Sequence, residues 1–336
     1  TVALVADFTR VPEAMQALRP AVLPSVPRLY EKVYANTLGE IERAGGLKRR
    51  LGLWSLGVGA RASRARREGR SVSRLLELQE RLADRLVFAK VRERLGGRMR
   101  LGISGAAPLS PDVLEFFHAL GVPVIEGYGL TETASSAAVN EADDFRIGTV
   151  GRAVDGTELR LADDGEILIR SDSVFAGYYK EPAATAAALT EDGWLRTGDV
   201  GEIDADGFLR ITDRKKDIII TAGGKNIAPQ NLENALKSSR FVSHAIVVGD
   251  RRPYVTALLT LDEAEVAASG REAQDLAQEL VDEVNSDRTR VEQIKRFVIL
   301  PRDFSQEEGE VTPTLKLRRN VIHEHFADEI EKLYAG

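Results

Sequence analysis

An α/β fold in two domains is what this sequence predicts, on three observations. MRLGISG and VPVIEGYG read as buried strands, each running into a loop, with the helix PDVLEFFHALG between them. That strand–helix–strand order favours a parallel sheet with ligands gathered at the carboxyl ends of its strands. TELRLADDGEILIRS and GEIDADGFLRITD read as hairpins turned by Asp-Gly at 164–165 and 206–207, a dipeptide suited to the positive φ of a tight turn. Past Asp213 the texture changes to an α+β alternation with an apolar pattern of its own. A chain of 336 residues exceeds the usual single-domain size. The expected cut falls at Asp213, giving domains 1–212 and 213–336 with a hinge near 213–217.

Taken in order, the first stretch, TVALVADFTRVPEA, begins without Met and as if mid-strand, so the chain is expected to be a piece of something longer. It lacks the basic start and apolar core of a signal peptide. Residues 28–95 read as helices. From Arg43 to Arg74 ten Lys/Arg face one acid, Glu68. A solvated helical face accounts for such a run; the sharper reading is a patch for anionic lipid headgroups or a polyphosphate, with Leu51, Leu53, Trp54, Leu56 and Val58 interleaved. After the hairpins, a strand at 218–221 precedes a helix opened by Pro229. The strands HAIVVGD and YVTALLTLD, helices near 263–288, the strand IKRFVIL and a terminal helix from about 319 to 334 complete the order.

Composition narrows the function. A net charge of −6 argues against wholesale nucleic-acid binding and leaves room for a local anion site. The absence of cysteine excludes disulfides and thiolate zinc sites and is compatible with a reducing cytoplasm. No apolar run reaches the roughly 18–20 residues that span a bilayer, so a cytoplasmic place is expected, at most peripheral at the inner membrane face. The four histidines offer little for a metal, since His323 and His325 are two apart and do not share a helical face. AGGKN at 222–226 is no Walker loop either: Ile219 stands where that loop needs glycine, and Asn226 where it needs Ser or Thr.

The strongest local signal is EGYGLTETASSA at 126–137. Two glycines flank Tyr128, which lets backbone and ring lie close to a flat ligand, and Thr131 with Glu132 pairs a hydroxyl with a carboxylate, suited to a phosphate oxygen and its Mg²⁺. As a bare string, Gly-Tyr-Gly is equally at home in a turn. SGAAPLS (104–110) sits at another strand end, where small residues permit close approach or simply a helix entry. In WLRTGD, Asp199 is placed to accept from a vicinal diol such as a ribose, or to cap its own turn. Arg214 follows at the expected domain cut, and Lys316 stands in a threonine-rich loop before the last helix.

SGAAPLS, YGLTE, GYYKEPAATAAAL, WLRTGD, DRKKDIIITAGGKNIAP and TPTLKLRR, in that order, resemble the adenylate-forming superfamily of acyl-CoA synthetases, luciferases and adenylation domains. SVPRLYEKVY and FAKVRERLGGRMRLGISGAAPLS bring the likeness closest to bacterial long-chain fatty acyl-CoA synthetases, over their C-terminal portion. The resemblance implies the end of a large α/β nucleotide- and acyl-binding domain followed by a small mobile α+β lid domain. It implies a ligase that joins a fatty acid to coenzyme A through an acyl-adenylate, with ATP and Mg²⁺. Gly105, Ala106, Ala107, Glu126, Gly127 and Tyr128 would line the adenine site, Tyr128 stacking, with Gly129 also among the nucleotide-binding residues; Thr131 would hold the α-phosphate and Glu132 the Mg²⁺. Asp199 and Arg214 would hold the ribose, Ile211 would be a further nucleotide-binding residue, Lys216 would be the pivot, and Gly223, Gly224 and Lys225 would line the route for coenzyme A. Lys316 would reach both the acyl carboxylate and the α-phosphate. Ala106 departs from the family, which usually has a second glycine there.

The family's Gly/Ser/Thr-rich phosphate loop has no counterpart in these residues, so the chain alone is expected to have little or no ligase activity. Two other readings stay open: an acyl-AMP ligase that delivers to a carrier protein, and a non-catalytic module that binds nucleotide or membrane through 126–132 and the basic region 43–74.

Overall fold

The computed structural model describes residues 2–5, 10–312 and 316–335. Helix α1 (Val11–Leu18) precedes strand β1 (Val22–Ser25). Pro27 opens α2 (Pro27–Arg43), where its missing N–H is no loss. Gly45, at φ +64°, turns the chain into α3 (Gly46–Arg67). Helix α4 (Arg74–Ala83) starts where Ser73 Oγ accepts from the Leu76 N–H at 3.3 Å. A π-helical turn, Asp84–Phe88, joins it to α5 (Ala89–Arg94).

Helix α3 shows why its basic run is interrupted by small residues. Gly52, Ser55, Gly59, Ala62 and Ser63 are buried, and a Cβ on Gly59 would stand 2.8 Å from the Ala119 carbonyl oxygen. The cations lie outside this close contact, and several are neutralised within the fold. Arg64 and Arg67 both reach Glu115, at 3.5 and 3.3 Å, while Arg66 grips Glu80 and Arg70 meets Glu68.

Strand β2 (Leu101–Ser104), helix α6 (Pro111–Ala119) and strand β3 (Val124–Gly129) form where the sequence predicts them. With β4 (Ser136–Val139) and β5 (Arg152–Ala153) they make a sheet of order β1-β2-β3-β4-β5. Its first three strands are parallel, but β4 and β5 are antiparallel. A parallel return would need a crossover of a dozen or more residues, whereas β3 and β4 are separated by one 3₁₀ turn, Thr131–Thr133, and a short link. Beneath this sheet Tyr30 and Phe117 meet edge to face at 5.4 Å, and Phe88, Leu120, Val122 and Val124 surround them. Gly102 makes room for Tyr30, whose hydroxyl would lie 2.9 Å from a Cβ there.

A second sheet runs β6-β7-β8-β9, from β6 (Thr157–Leu161), β7 (Glu166–Ser171), β8 (Leu195–Ile203) and β9 (Leu209–Arg214), with α7 (Pro182–Ala188) between β7 and β8. Both Asp-Gly turns are present, with Gly165 at φ +81° and Gly207 at +85°. At the second, Asp204 Oδ1 accepts from the N–H groups of Asp206 and Phe208, the side-chain turn that suits an Asp there.

Beyond it, β10 (Ile219–Ile220) pairs with β11 (Asn226–Ile227) and α8 (Pro229–Lys237) follows. The strand expected over 218–221 is shorter because the chain turns at once: Gly224, at φ +74°, donates to the Thr221 carbonyl at 2.8 Å. Then come β12 (Val242–Val248), β13 (Val255–Leu261), α9 (Glu263–Ser269), α10 (Ala273–Ser286), β14 (Ile294–Ile299), α11 (Arg319–His325) and α12 (Ala327–Tyr334). Strand β13 lies between β12 and β14 and is covered on both faces. Val255, Ala257 and Leu259 pack with Leu232 and Leu236; Leu258 packs with Phe304, Ile322 and Phe326. That double burial is why YVTALLTLD reads as continuous rather than alternating. The terminal helix is two helices, broken at Phe326, which leaves the helical region (φ −111°, ψ 28°) and buries its ring 6.0 Å from that of Phe304.

Within its described residues the chain makes two compact units. One comprises Thr1–Leu159, Ile169–Leu195 and Ile203–Arg210; the other comprises Arg160–Leu168, Arg196–Glu202 and Ile211–Gly336.

Candidate active site

In the first unit, the ends of β2 and β3 bring two of the singled-out strings together. The Leu109 N–H donates to Glu126 Oε1 at 2.9 Å, and a Cβ on Gly105 would lie 3.7 Å from the Gly127 carbonyl. Ala106 and Ala107 are exposed beside this contact. Ala106 sits at φ +74°, a conformation that costs an L-residue roughly 1–2 kcal/mol and glycine nothing. The departure from Gly-Gly is therefore strained in the backbone rather than crowded.

Glu126 is buried, 5% exposed, and apart from Leu109 its surroundings are poor in donors. Burial pushes its carboxyl up to about 7, against the pull of that one N–H. Tyr128, two residues on, is 7% exposed. Gly129 is required by the fold itself, since a Cβ there would collide with the Ser135 carbonyl at 2.1 Å. Gly127 has ordinary space around it, its nearest neighbour being Val139 at 3.5 Å.

The turn beyond β3 is firmly anchored. Thr133, 1% exposed, accepts from the Leu130 N–H at 3.0 Å and donates to the Ser135 carbonyl at 2.8 Å. This leaves Thr131 exposed and Glu132 half-buried. Glu132 is in turn held from 46 residues away, because the Tyr178 hydroxyl donates to its Oε1 at 2.7 Å and the Phe175 N–H to its carbonyl at 2.8 Å. Among the described residues there is no cluster of three or more His, Cys, Asp or Glu that would cage a metal. One carboxylate beside one hydroxyl is the donor set that suits Mg²⁺ shared with substrate phosphates.

In the second unit, Asp199 and Arg214 meet from β8 and β9, Arg214 Nε lying 3.2 Å from Asp199 Oδ1. Asp199 is 4% exposed, and its N–H donates to Thr197 Oγ1 at 3.1 Å, whose hydroxyl donates to the Ile167 carbonyl. Arg214 is half exposed, and Ile211 is half-buried. Lys215 is pinned by Asp164 at 2.5 Å and Glu166 at 3.0 Å, while Lys216 next to it is exposed. Gly223, Gly224 and Lys225 form an exposed turn closed by the Thr221 N–H on the Lys225 carbonyl at 3.0 Å.

Lys316 is exposed and donates its backbone N–H to Thr312 Oγ1 at 3.0 Å, in a turn bridged by Val311 and Leu317. Pro313, Thr314 and Leu315 lie outside the described residues. Three further acids support these elements, of which the sequence marks Asp213 only as the expected domain cut and gives Glu166 and Glu310 no role. Asp213 is buried and accepts from the N–H groups of Arg214 and Gln230, at 2.7 and 3.0 Å; burial lifts its carboxyl to about 6. Glu166 receives the Gly198 N–H at 2.9 Å next to Asp199. Glu310 anchors the Lys316 turn, its carbonyl accepting from the Arg318 N–H at 2.8 Å. Nothing in a linear string distinguishes such acids from solvated ones.

The fold is α/β, and the chain belongs to the AMP-binding enzyme family. The family's AMP-binding enzyme domain matches residues 1–179, and its AMP-binding enzyme C-terminal domain matches residues 216–336. The chain is 40% identical over 351 residues to the long-chain-fatty-acid–CoA ligase FadD15 of Mycobacterium tuberculosis, covering 99% of this chain and 58% of that protein. It is 35% identical to the peroxisomal long chain acyl-CoA synthetase 6 of Arabidopsis thaliana, covering 98% of this chain and 50% of that one. Among solved structures, it is similar to the adenylation domain of a carboxylate reductase from Mycobacterium chelonae, with a TM-score of 0.76, 26% identity, and 99% and 49% of the two chains covered. The chain thus spans about half to three fifths of the length of these relatives.

Proposed function

We propose that these residues serve an AMP-forming ligase that joins a long-chain fatty acid to coenzyme A. The observation that carries the reading is the 40% identity to a long-chain-fatty-acid–CoA ligase across 99% of the chain. In the first step a carboxylate oxygen bonds to the α-phosphorus of ATP and the bond to the β-phosphate oxygen breaks, releasing pyrophosphate. In the second the sulfur of coenzyme A bonds to the acyl carbon and AMP departs. Mg²⁺, when bound, neutralises phosphate charge.

The chain's own contributions are positional, as attacks on phosphate require. Gly105, Ala106, Ala107, Glu126, Gly127 and Tyr128 are assigned to the adenine, Gly129 to the nucleotide, Thr131 to the α-phosphate and Glu132 to the cation. Asp199 is held with its carboxylate aligned by Arg214, and this pair is assigned to the ribose diol, with Ile211 assigned to the nucleotide. Lys316 is assigned to the acyl carboxylate, where a cation aimed at developing charge acts only in the transition state. Residues 213–336 are proposed as the mobile part, pivoting at Lys216, with Gly223, Gly224 and Lys225 along the thiol's route. Peripheral membrane contact would fall to Leu47, Lys48, Arg49, Arg50 and Leu53, which are exposed; no described helix is long and apolar enough to cross a membrane.

Calorimetry with a nonhydrolysable acyl-adenylate analogue tests the reading. The chain is expected to bind it, Asp199→Ala to weaken binding at least about tenfold, as loss of hydrogen bonds to a charged group implies, and Arg64→Ala to change nothing. Absence of binding, or equal effects of the two variants, overturns the assignment.

A further inference from the structure

The string GYYKEPAATAAAL supports the family likeness but has no role in the chemistry above. Its geometry gives it one. Gly177 stands at φ +140°, and a Cβ there would come within 2.5 Å of Thr185 Cγ2, so glycine lets this loop press against the start of α7. Thr185 Oγ1 then accepts the Tyr178 N–H at 2.9 Å and donates to the Glu181 carbonyl at 2.9 Å. The Phe175 ring stands edge-on to Tyr178, 4.8 Å away at 75°. Backbone and ring of Tyr178 are therefore fixed from two sides, although the residue is 41% exposed.

What this clasp holds is Glu132. Phe175 donates its N–H to the Glu132 carbonyl and Tyr178 its hydroxyl to Glu132 Oε1, so one loop fixes both the backbone and the carboxylate of a single residue. The hydroxyl takes one lone pair of one oxygen. A carboxylate has about four such sites, and the remainder, including Oε2, stay available. A glutamate on a surface turn would otherwise sample many rotamers, and holding it in one is the service that partners behind metal ligands perform.

We propose that Tyr178 is a positioning residue that fixes the Glu132 carboxylate for a divalent cation shared with nucleotide phosphate. The inference rests on the reading that Glu132 faces that cation. The Gly177–Tyr178–Thr185 spacing is what builds the clasp.

The test is Mn²⁺ binding to the 336-residue chain, followed by electron paramagnetic resonance with and without α,β-methylene-ATP. Nucleotide affinity in EDTA and thermal unfolding are measured alongside. Tyr178→Phe keeps the ring against Phe175 and removes only the hydroxyl; it is expected to weaken nucleotide-dependent Mn²⁺ binding by roughly tenfold, as loss of a partner behind a metal ligand typically does. Its metal-free nucleotide affinity and melting temperature are expected to match those of the unaltered chain. Glu132→Gln is expected to abolish the nucleotide-dependent Mn²⁺ signal. If Glu132→Gln abolishes it and Tyr178→Phe leaves it intact, the positioning role is overturned while the assignment of Glu132 stands. If Glu132→Gln binds Mn²⁺ normally, or the unaltered chain shows no nucleotide-dependent signal, the assignment falls and the inference with it. A fall in metal-free affinity or melting temperature that accounts for the whole loss in Tyr178→Phe also overturns it, in favour of a purely structural contact.

Discussion

Glu126 and Glu310 are the same residue type, both buried, each at the base of a loop assigned to the chemistry, and their protons behave in opposite ways. Glu126 is 5% exposed, and burial lifts its carboxyl to about 7 with one backbone N–H to oppose it. Glu310 is fully buried, yet its carboxyl is held down to about 2, first by the Arg302 guanidinium. Both terminal nitrogens of Arg302 donate to it at 2.7 Å, the Ser305 N–H donates at 3.0 Å, and His325 Nδ1 lies 3.0 Å away. Burial alone thus does not decide the charge of a glutamate; the number and charge of its donors do. The Lys316 turn stands on a fixed anion, and the 126–132 segment on a group that changes charge near neutrality.

The largest effect is expected from removing the fixed anion. Glu310→Gln takes the charge from two hydrogen bonds that are each worth about 1.5–3 kcal/mol when charge-assisted, and turns an NH₂ group toward Arg302 in place of one acceptor oxygen. Arg302, whose side chain is 42% exposed, recovers some of this in water. A net loss of about 3 kcal/mol at pH 7 is expected, read from urea unfolding of the second unit. The sign with pH follows from the lowered value. A carboxyl that falls from 4.5 to about 2 on folding contributes fully above its unfolded value and loses that contribution as pH falls toward 2. The gap between the variant and the unaltered chain should therefore close in acid; a gap that stays constant down to pH 2.5 would contradict the ion-pair account.

Glu126→Gln should act in the opposite direction and more weakly. The folded state holds a proton on Glu126 that the unfolded chain releases between 4.5 and about 7, so this residue's contribution worsens as pH rises through that window. Glutamine keeps an acceptor for the Leu109 N–H and removes the ionisation. A gain of at most about 3 kcal/mol at pH 8, shrinking toward pH 5, is expected from a shift of this size. Melting temperatures at the two pH values decide it. Equal stability of both proteins at pH 8 would mean that Glu126 finds a partner not seen in the fold.

These two glutamates also mark how far the sequence could be read. The β2–α6–β3 order, both Asp-Gly hairpins and the strand at YVTALLTLD were legible, because period, turn chemistry and apolar run length are local properties. The antiparallel turn to β4 and the break at Phe326 were not, since loop closure and the Phe304 ring decide them. On the site, residue types and order pointed to Thr131, Glu132, Asp199, Arg214 and Lys316 as candidates. The bonds behind the raised carboxyl of Glu126, the Glu310 anchor of the Lys316 turn and the Tyr178–Glu132 contact join residues 17, 8 and 46 apart, and a string of letters does not record such pairings. Ala106 is an intermediate case: a methyl group looks innocuous in the string, and only its φ of +74° exposes the strain.

The smallest effect sharpens the contrast by moving the same fork to the surface. Arg66 grips Glu80 with both terminal nitrogens, as Arg302 grips Glu310, and the pairing raises the pKa of Arg66. The difference is solvent: the Arg66 side chain is 54% exposed and that of Glu80 23%, against 0% for Glu310. In water the Coulomb gain is screened and two long side chains must be ordered, so such pairs contribute about 0.2–1 kcal/mol. Glu80→Gln is expected to cost under about 1 kcal/mol, and less still in 0.5 M NaCl, where the screening length is a few ångströms. Urea unfolding at low and high salt measures both. A loss as large as that of Glu310→Gln would show that the fork's geometry, rather than its burial, sets its strength, and the distinction drawn between the two glutamates would then need a different cause.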